Sequence, residues 1–134
     1  MFLTEGGKAE PPARQHLIVV DDDDGVRRSL QLMLHWRGYD VHSFAAAEPV
    51  LADPKALDAA LLVVDQGLPD GDGISLMAAL RERGWRGRAV MITGFPTPDL
   101  VEAAGRYGCT TVLEKPLRNF ELLMALGNKV DDEI

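Results

Sequence analysis

The sequence has little cysteine and few aromatic residues, and it lacks any long apolar run. Its single cysteine, Cys109, excludes an intrachain disulfide and a zinc site built from several cysteines, which favours a reducing compartment. No apolar stretch approaches the ~20 residues of a transmembrane helix, and the N-terminus lacks a signal-peptide apolar segment. These absences predict a cytoplasmic protein with no membrane partner.

Positive charge is also scarce, because 14 lysine and arginine residues oppose 21 acidic ones and the formal net charge is −7. Direct binding of nucleic acid is therefore disfavoured. The chain has 134 residues, 46% of them hydrophobic, which is enough for one domain with its own core. We expect a flexible leader over residues 1–15, the domain over 16–130, and an acidic tail or the start of a linker over 131–134.

Short apolar runs alternate with amphipathic or alanine-rich segments along the chain. Strands are predicted over 17–20, 41–44, 59–64, 89–92 and 111–113. Helices are predicted from 26 toward 38, over 45–52, from 74 toward 84, over 99–107 and over 120–130. Five alternating strand and helix units predict a parallel sheet with right-handed crossovers, in a doubly wound, three-layer α/β domain.

Two local features refine this pattern. Asp24 is expected to cap the first helix, and Asp23 to be a solvated acid in the loop before it. Residues 66–73 are expected to form a loop, since Pro69 and three glycines lie among them.

Polar residues follow four of the five predicted strands. They are Asp21 and Asp22 after the first strand, Asp65 after the third, Thr93 after the fourth, and Glu114 and Lys115 after the fifth. Ligands of such sheets bind beyond the carboxyl ends of the strands. Clustered carboxylates repel one another unless a hard cation such as Mg²⁺ lies between them. Each acid alone is equally explained as a cap or a solvated loop residue, but their recurrence favours a site.

The same residue types suit phosphoryl transfer. A carboxylate can attack phosphorus, while a metal ion and an ammonium such as that of Lys115 stabilise charge on the transferring group. The segments VVDD at 19–22, DQGLPDGDG at 65–73, ITG at 92–94 and EKP at 114–116 occur in one order. In that order, and at these intervals, they resemble the response-regulator receiver family over residues 16–130.

The resemblance implies a flavodoxin-like (βα)5 fold and a switch of a bacterial two-component system. A phosphoryl group would pass from a sensor histidine kinase or phosphotransfer protein to Asp65, and the domain would regulate a downstream protein or output domain. The domain would catalyse its own phosphorylation and dephosphorylation, without turnover of an external substrate. Asp22, Asp65 and the carbonyl of Gly67 would bind Mg²⁺, and Asp21 would contact the ion through water.

The resemblance also implies the residues that sense the phosphoryl group. Thr93 and Lys115 would each contact a phosphoryl oxygen, and the peptide bond before Pro116 would be cis. The output face, and the surface for a homodimer, would be the fourth helix, fifth strand and fifth helix. The switch region would include Gly94, Phe95 and Val112.

Two departures from the family pattern affect the switch. Val112 replaces the aromatic residue that often precedes the lysine by three positions, so aromatic flipping is not expected. Phe95 is followed by Pro96 and Pro98, which predicts a stiff loop whose aromatic ring shades the site.

The same residues fit several rival functions less well. A nucleotide-binding domain lacks its glycine-rich phosphate loop, and a calcium loop at 70–73 lacks its later ligands. A phosphatase with an Asp nucleophile would need a second Asp where Gly67 stands. The remaining alternative is a pseudo-receiver, which is never phosphorylated and acts only as a protein-interaction module.

Overall fold

The computed structural model of the protein describes residues 14–127. Five strands form one parallel sheet, in the spatial order β2-β1-β3-β4-β5. The strands are β1 (His16–Val20), β2 (Asp40–Phe44), β3 (Leu61–Asp65), β4 (Arg88–Thr93) and β5 (Cys109–Glu114). The helices are α1 (Asp24–Trp36), α2 (Ala47–Ala52), α3 (Gly73–Glu82), α4 (Pro98–Arg106) and α5 (Asn119–Ala125), with a 3-10 turn at Ala56–Asp58. The predicted doubly wound fold is confirmed.

The ends of the chain, residues 1–13 and 128–134, lie outside the described residues. Nearly all of the predicted leader, the last three residues of the last predicted helix and the predicted acidic tail fall there. Within residues 14–127, no helix is long and apolar enough to cross a membrane.

Both faces of the sheet are covered by helices. Successive strand residues point to opposite faces, so Leu17 of β1 lies in the part of the core that α1 and α5 cover, whereas Ile18 lies in the part that α2, α3 and α4 cover. All five residues of β3 are buried, as the long apolar run over 59–64 predicts. Because β1 and β3 are neighbours at the centre of the sheet, the residues that follow them are brought together at one edge.

The cap of α1 differs from the prediction by one residue. Asp23, in extended conformation, is the N-cap, and its carboxylate accepts a 3.0 Å hydrogen bond from the backbone N–H of Val26. Asp24 is the first residue of the helix and forms an ion pair with Arg27. Asp23 is exposed, as expected, but the assignment of Asp24 as the cap is wrong, because the helix begins at Asp24 and the extended backbone of an N-cap belongs to the residue before it.

The segment 66–73 is more regular than the predicted loop. Gly67–Leu68 pairs antiparallel with Gly71–Asp72, and this ribbon leads directly into α3. A side chain at Gly73 would place its Cβ 2.9 Å from the backbone oxygen of Asp65. Glycine at position 73 therefore allows the start of α3 to approach the end of β3 closely.

Two histidine rings meet at the N-terminal end of the sheet. The rings of His16 on β1 and His42 on β2 have centroids 4.3 Å apart in a T-shaped contact. Burial, and then the charge of His42, lower the pKa of His16, whereas Asp40, Asp53 and Asp58 act in the opposite direction. Below its ordinary pKa, His16 therefore binds fewer protons in the folded state than in the unfolded chain.

We expect the free energy of unfolding to fall as the pH drops from neutral to about pH 5, and to fall less in a His16→Gln variant. Urea unfolding at both pH values measures the difference. His35→Gln removes a histidine from the exposed surface of α1 and is the matched control. An equal loss of stability in the wild type and in His16→Gln would contradict the role assigned to His16.

Candidate functional site

Three carboxylates converge at the carboxyl edge of the sheet. Asp21 and Asp22 follow β1, and Asp65 is the last residue of β3. Each offers a carboxylate oxygen, and these oxygens lie within 4.8 Å of one another. Asp21 is 0% and Asp65 5% exposed, whereas Asp22 is open to solvent. The structure thus places together the three acids that the sequence predicts as metal ligands.

One oxygen of this cluster lacks a hydrogen-bond donor. Oδ1 of Asp21 accepts a 2.9 Å bond from the backbone N–H of Asp23, but Oδ2 is buried and has no hydrogen-bond partner among residues 14–127. Burial raises the pKa of the Asp21 carboxyl; the bond from Asp23 opposes this rise, and repulsion from Asp65 adds to it. A buried carboxylate oxygen that faces other carboxylates is suited to a hard cation. The donor set therefore fits Mg²⁺.

Lys115 supplies the positive charge of the site. Its Nζ lies 2.9 Å from Oδ2 of Asp65 and 3.7 Å from Oδ2 of Asp21. Burial lowers the pKa of Lys115, but the hydrogen bond to Asp65 and the charges of the acids outweigh it, and the pKa is raised overall. The ammonium therefore stays protonated beside the carboxylates. The peptide bond between Lys115 and Pro116 is cis.

Thr93 lies at the end of β4, next to the lysine. Thr93 is 6% exposed. Its Oγ1 accepts a 3.2 Å hydrogen bond from the backbone N–H of Phe95, and its carbonyl oxygen accepts a hydrogen bond from the backbone N–H of Lys115. Phe95 is 82% exposed as a residue, so the expectation that its ring shades the site is wrong. A turn closed by the 2.9 Å bond from the Thr97 N–H to the Phe95 carbonyl leaves this ring outside the packed structure. Val112 is a half-buried residue of β5 opposite Met91.

The ribbon after β3 carries the remaining predicted ligand. Gly67 is exposed, and its backbone N–H donates a 3.3 Å hydrogen bond to Oδ1 of Asp65. Gln66 steadies the same loop, because its Oε1 accepts a 3.1 Å bond from the N–H of Ile74 at the start of α3. The hydrogen bond thus keeps the backbone of Gly67 beside the carboxylate of Asp65, with which Gly67 is predicted to share the ion.

One residue of this region is not predicted from the sequence. Asp70, in the turn of the ribbon, accepts hydrogen bonds from the backbone N–H groups of Ala47 and Glu48 at the start of α2. A signal for this contact does exist in the chain. Ala46, the N-cap of α2, has no side-chain oxygen, so the first N–H groups of that helix need an acceptor from elsewhere.

Comparison with known proteins agrees with this geometry. Residues 17–127 match the family model described as response regulator receiver domain. The chain is 32% identical over 108 residues to the transcriptional regulatory protein FixJ of Azorhizobium caulinodans, which covers 81% of this chain and 51% of FixJ. It is 32% identical over 114 residues to the photosynthetic apparatus regulatory protein RegA of Cereibacter sphaeroides, covering 85% of this chain and 62% of RegA.

A similar solved structure is a CheY-like response regulator receiver domain protein from Methanospirillum hungatei. Its TM-score is 0.77 at 25% identity, and the match covers 85% of this chain and 91% of that one. The chain thus spans only part of the two curated relatives but nearly the whole of this receiver structure. The family model, the curated relatives and the solved structure all indicate the same family. The chain therefore belongs to the response regulator receiver domain family of two-component systems.

Proposed function

We propose that this domain accepts a phosphoryl group on Asp65 in a Mg²⁺-dependent reaction and then changes conformation to regulate a partner. The donor would be a sensor histidine kinase or a phosphotransfer protein, and the partner a downstream protein or an output domain. The observation that carries the proposal is the cluster itself. A nearly buried carboxylate at a strand end is bound by Lys115 on one oxygen and lies against two further acids.

Each of these side chains has a definite part in the proposed reaction. An oxygen of Asp65 attacks phosphorus, the new O–P bond forms, and the donor's bond to phosphorus breaks with its electron pair leaving on the donor. The ammonium of Lys115, already 2.9 Å from this carboxylate, neutralises charge on the transferring group. Mg²⁺ held by Asp22, Asp65 and the Gly67 carbonyl, with Asp21 reaching it through water, would supply further positive charge at the phosphoryl oxygens.

The domain acts on itself in this scheme. Asp65 is phosphorylated, and attack of water on phosphorus later breaks the O–P bond, releases inorganic phosphate and restores the carboxylate, so the domain is a regulatory switch and not an enzyme that turns over an external substrate. We assign this unit to residues 16–130, three residues beyond the described part of the chain. The pseudo-receiver alternative predicts the same fold without phosphorylation, so uptake of a phosphoryl group or of its mimic separates the two.

The switch is proposed to run from Thr93 into α4. Thr93 Oγ1 accepts the N–H of Phe95, so a phosphoryl oxygen that recruits the hydroxyl would change the contacts of this loop. Val112 offers no ring to move with it. The affected output face would be α4, β5 and α5, where apolar side chains are exposed and where a partner or a second copy would bind. The exposed apolar side chains of this face are Val101 on α4 and Phe120 and Met124 on α5.

Binding of the phosphoryl mimic beryllofluoride in the presence of Mg²⁺ is expected to shift backbone amide signals over residues 94–107. The displacement should be small, because Pro96 and Pro98 restrict the loop. Amide spectra with and without the mimic measure it. Thr93→Ala should bind the mimic but lose most of the shift over 94–107, whereas Thr93→Ser keeps the hydroxyl and should retain it.

The outcomes separate the two parts of the proposal. No binding of the mimic by the wild type would count against phosphorylation at Asp65 and favour the pseudo-receiver. Binding without any change over residues 94–107 would leave the phosphorylation intact and contradict the proposed switch.

A further inference from the structure

The N-terminus of α2 is capped by a residue from a distant part of the chain. The N–H groups of Ala47 and Glu48 donate hydrogen bonds, each of 2.9 Å, to Oδ1 and Oδ2 of Asp70. Ala46 has the extended backbone of an N-cap but no side-chain oxygen to accept these bonds. The two hydrogen bonds lower the pKa of Asp70, because they stabilise its ionised carboxylate.

The short segment 44–48 is hydrogen-bonded to two parts of the acidic site, Asp21 after β1 and the ribbon after β3. At one end, the carbonyl of Phe44 accepts a 3.1 Å hydrogen bond from the N–H of Asp21, the buried acid after β1. At the other end, the N–H groups of Ala47 and Glu48 bind Asp70 in the ribbon after β3. Asp21 and the ribbon that follows Asp65 are therefore connected through hydrogen bonds of the backbone of one segment.

Asp70 is the anchor of the ribbon to a second helix. The other side-chain bonds of this loop lead to α3, where Gln66 accepts from Ile74 and Asp72 accepts from Ser75. Among the described side-chain hydrogen bonds of residues 67–72, those of Asp70 alone reach another helix. Without Asp70, the side-chain hydrogen bonds of the ribbon would lead only to α3, and although Leu68 would stay packed in the core, the position of Gly67 would be less restricted.

We propose that Asp70 is a positioning residue for the phosphorylation reaction, which fixes the ribbon and with it the Gly67 carbonyl relative to Asp21 and Asp65. This inference rests on the function proposed above. Asp70 lies outside the carboxylate cluster and acts through the backbone of the loop. Its loss therefore weakens Mg²⁺ binding and slows phosphoryl transfer without removing a ligand or the nucleophile.

The test must separate positioning of the loop from simple capping of α2. Asp70→Ala removes both effects. The double variant Asp70→Ala/Ala46→Ser restores a local cap, because a serine at this extended position can accept the N–H groups of α2. It does not reconnect the ribbon. Urea midpoints report the cap, and Mg²⁺ titration followed at the Gly67 amide, together with the rate of phosphorylation by acetyl phosphate, reports the site.

We expect Asp70→Ala to weaken Mg²⁺ binding about tenfold and to lower the urea midpoint. The double variant should recover the urea midpoint but not the Mg²⁺ affinity. Asp70→Asn keeps one acceptor oxygen and should fall between the wild type and Asp70→Ala. Asp53→Ala removes a carboxylate from the other end of α2, where Asp53 accepts from the N–H of Lys55, and should leave Mg²⁺ affinity unchanged.

Recovery of Mg²⁺ affinity in the double variant would overturn the inference, since Asp70 would then act only as a helix cap. Equal weakening by Asp70→Asn and Asp70→Ala would also overturn it, because loss of charge alone would explain the effect. If the wild type itself bound no Mg²⁺ and took up no phosphoryl group, the proposed function would fall as well. If the wild type does both and Asp70→Ala matches it, only the role of Asp70 is lost.

Discussion

An Asp65→Asn variant is expected to take up no measurable phosphoryl group, with a fall in rate of at least about a thousandfold. The amide keeps the shape of the side chain but lacks the negative oxygen that attacks phosphorus. Asp65 is 5% exposed at the end of β3, and Lys115 contacts one of its oxygens. Incubation with acetyl phosphate and Mg²⁺, followed by mass spectrometry of the intact protein, measures the result.

Asp72→Asn is the matched control for this variant. Asp72 belongs to the same loop, and it caps α3 by accepting a 2.7 Å hydrogen bond from the N–H of Ser75. Asparagine is an equally good cap, so the fold of the loop is kept while one acid becomes an amide. Asp72→Asn should be phosphorylated at close to the wild-type rate. Phosphorylation of Asp65→Asn at that rate would show that another residue is the acceptor.

The location of Asp65 and its neighbours is predictable because it depends on strand ends. Apolar runs identify each strand to within about two residues. Parallel strands end at one edge, and the polar residues that follow them must meet there. This reasoning brings Asp21, Asp22 and Asp65 together, and the distances in the structure agree. It needs no knowledge of loop geometry, since the sheet alone decides which residues become neighbours.

Contacts that depend on loop geometry were not predictable in the same way. Asp70 caps a helix that begins 23 residues before it in the chain, and no periodicity connects the two segments. The choice between Asp23 and Asp24 as cap of α1 depends on one backbone turn, which a run of four acids does not reveal. The exposed ring of Phe95 likewise follows from the turn before α4. The composition of the strands does not determine any of these three loop contacts.

Replacement of Lys115 by alanine is expected to change Mg²⁺ binding and phosphorylation in opposite directions. The ammonium competes with the ion for the same carboxylates, as its distances of 2.9 Å to Asp65 and 3.7 Å to Asp21 indicate. Without it, the uncompensated negative charge of the cluster increases, and Mg²⁺ should bind more tightly. Phosphoryl transfer should slow by about a hundredfold, because a positive group that stabilises the transferring charge is lost.

The free energy of unfolding of Lys115→Ala should also depend on Mg²⁺, because the variant is expected to bind the ion more tightly. Removal of the lysine leaves Asp65 without its charged hydrogen-bond donor, and this should cost about 2 kcal/mol in the absence of the ion. An ion that binds the folded state but not the unfolded chain restores stability in proportion to its affinity. Mg²⁺ should therefore raise the free energy of unfolding of Lys115→Ala by more than that of the wild type. Urea unfolding with and without Mg²⁺ measures both values.

Two further variants show whether the position of the charge matters. Lys115→Arg keeps a cation near Asp65 but replaces a compact ammonium by a planar guanidinium, so it should protect stability better than it protects the transfer rate. Lys55→Ala removes an exposed lysine after α2 and should change none of the three measurements. If Lys115→Ala lowered Mg²⁺ affinity together with phosphorylation, the lysine would be needed to hold the carboxylates in place, and competition between the ammonium and the metal ion would be the wrong description of this site.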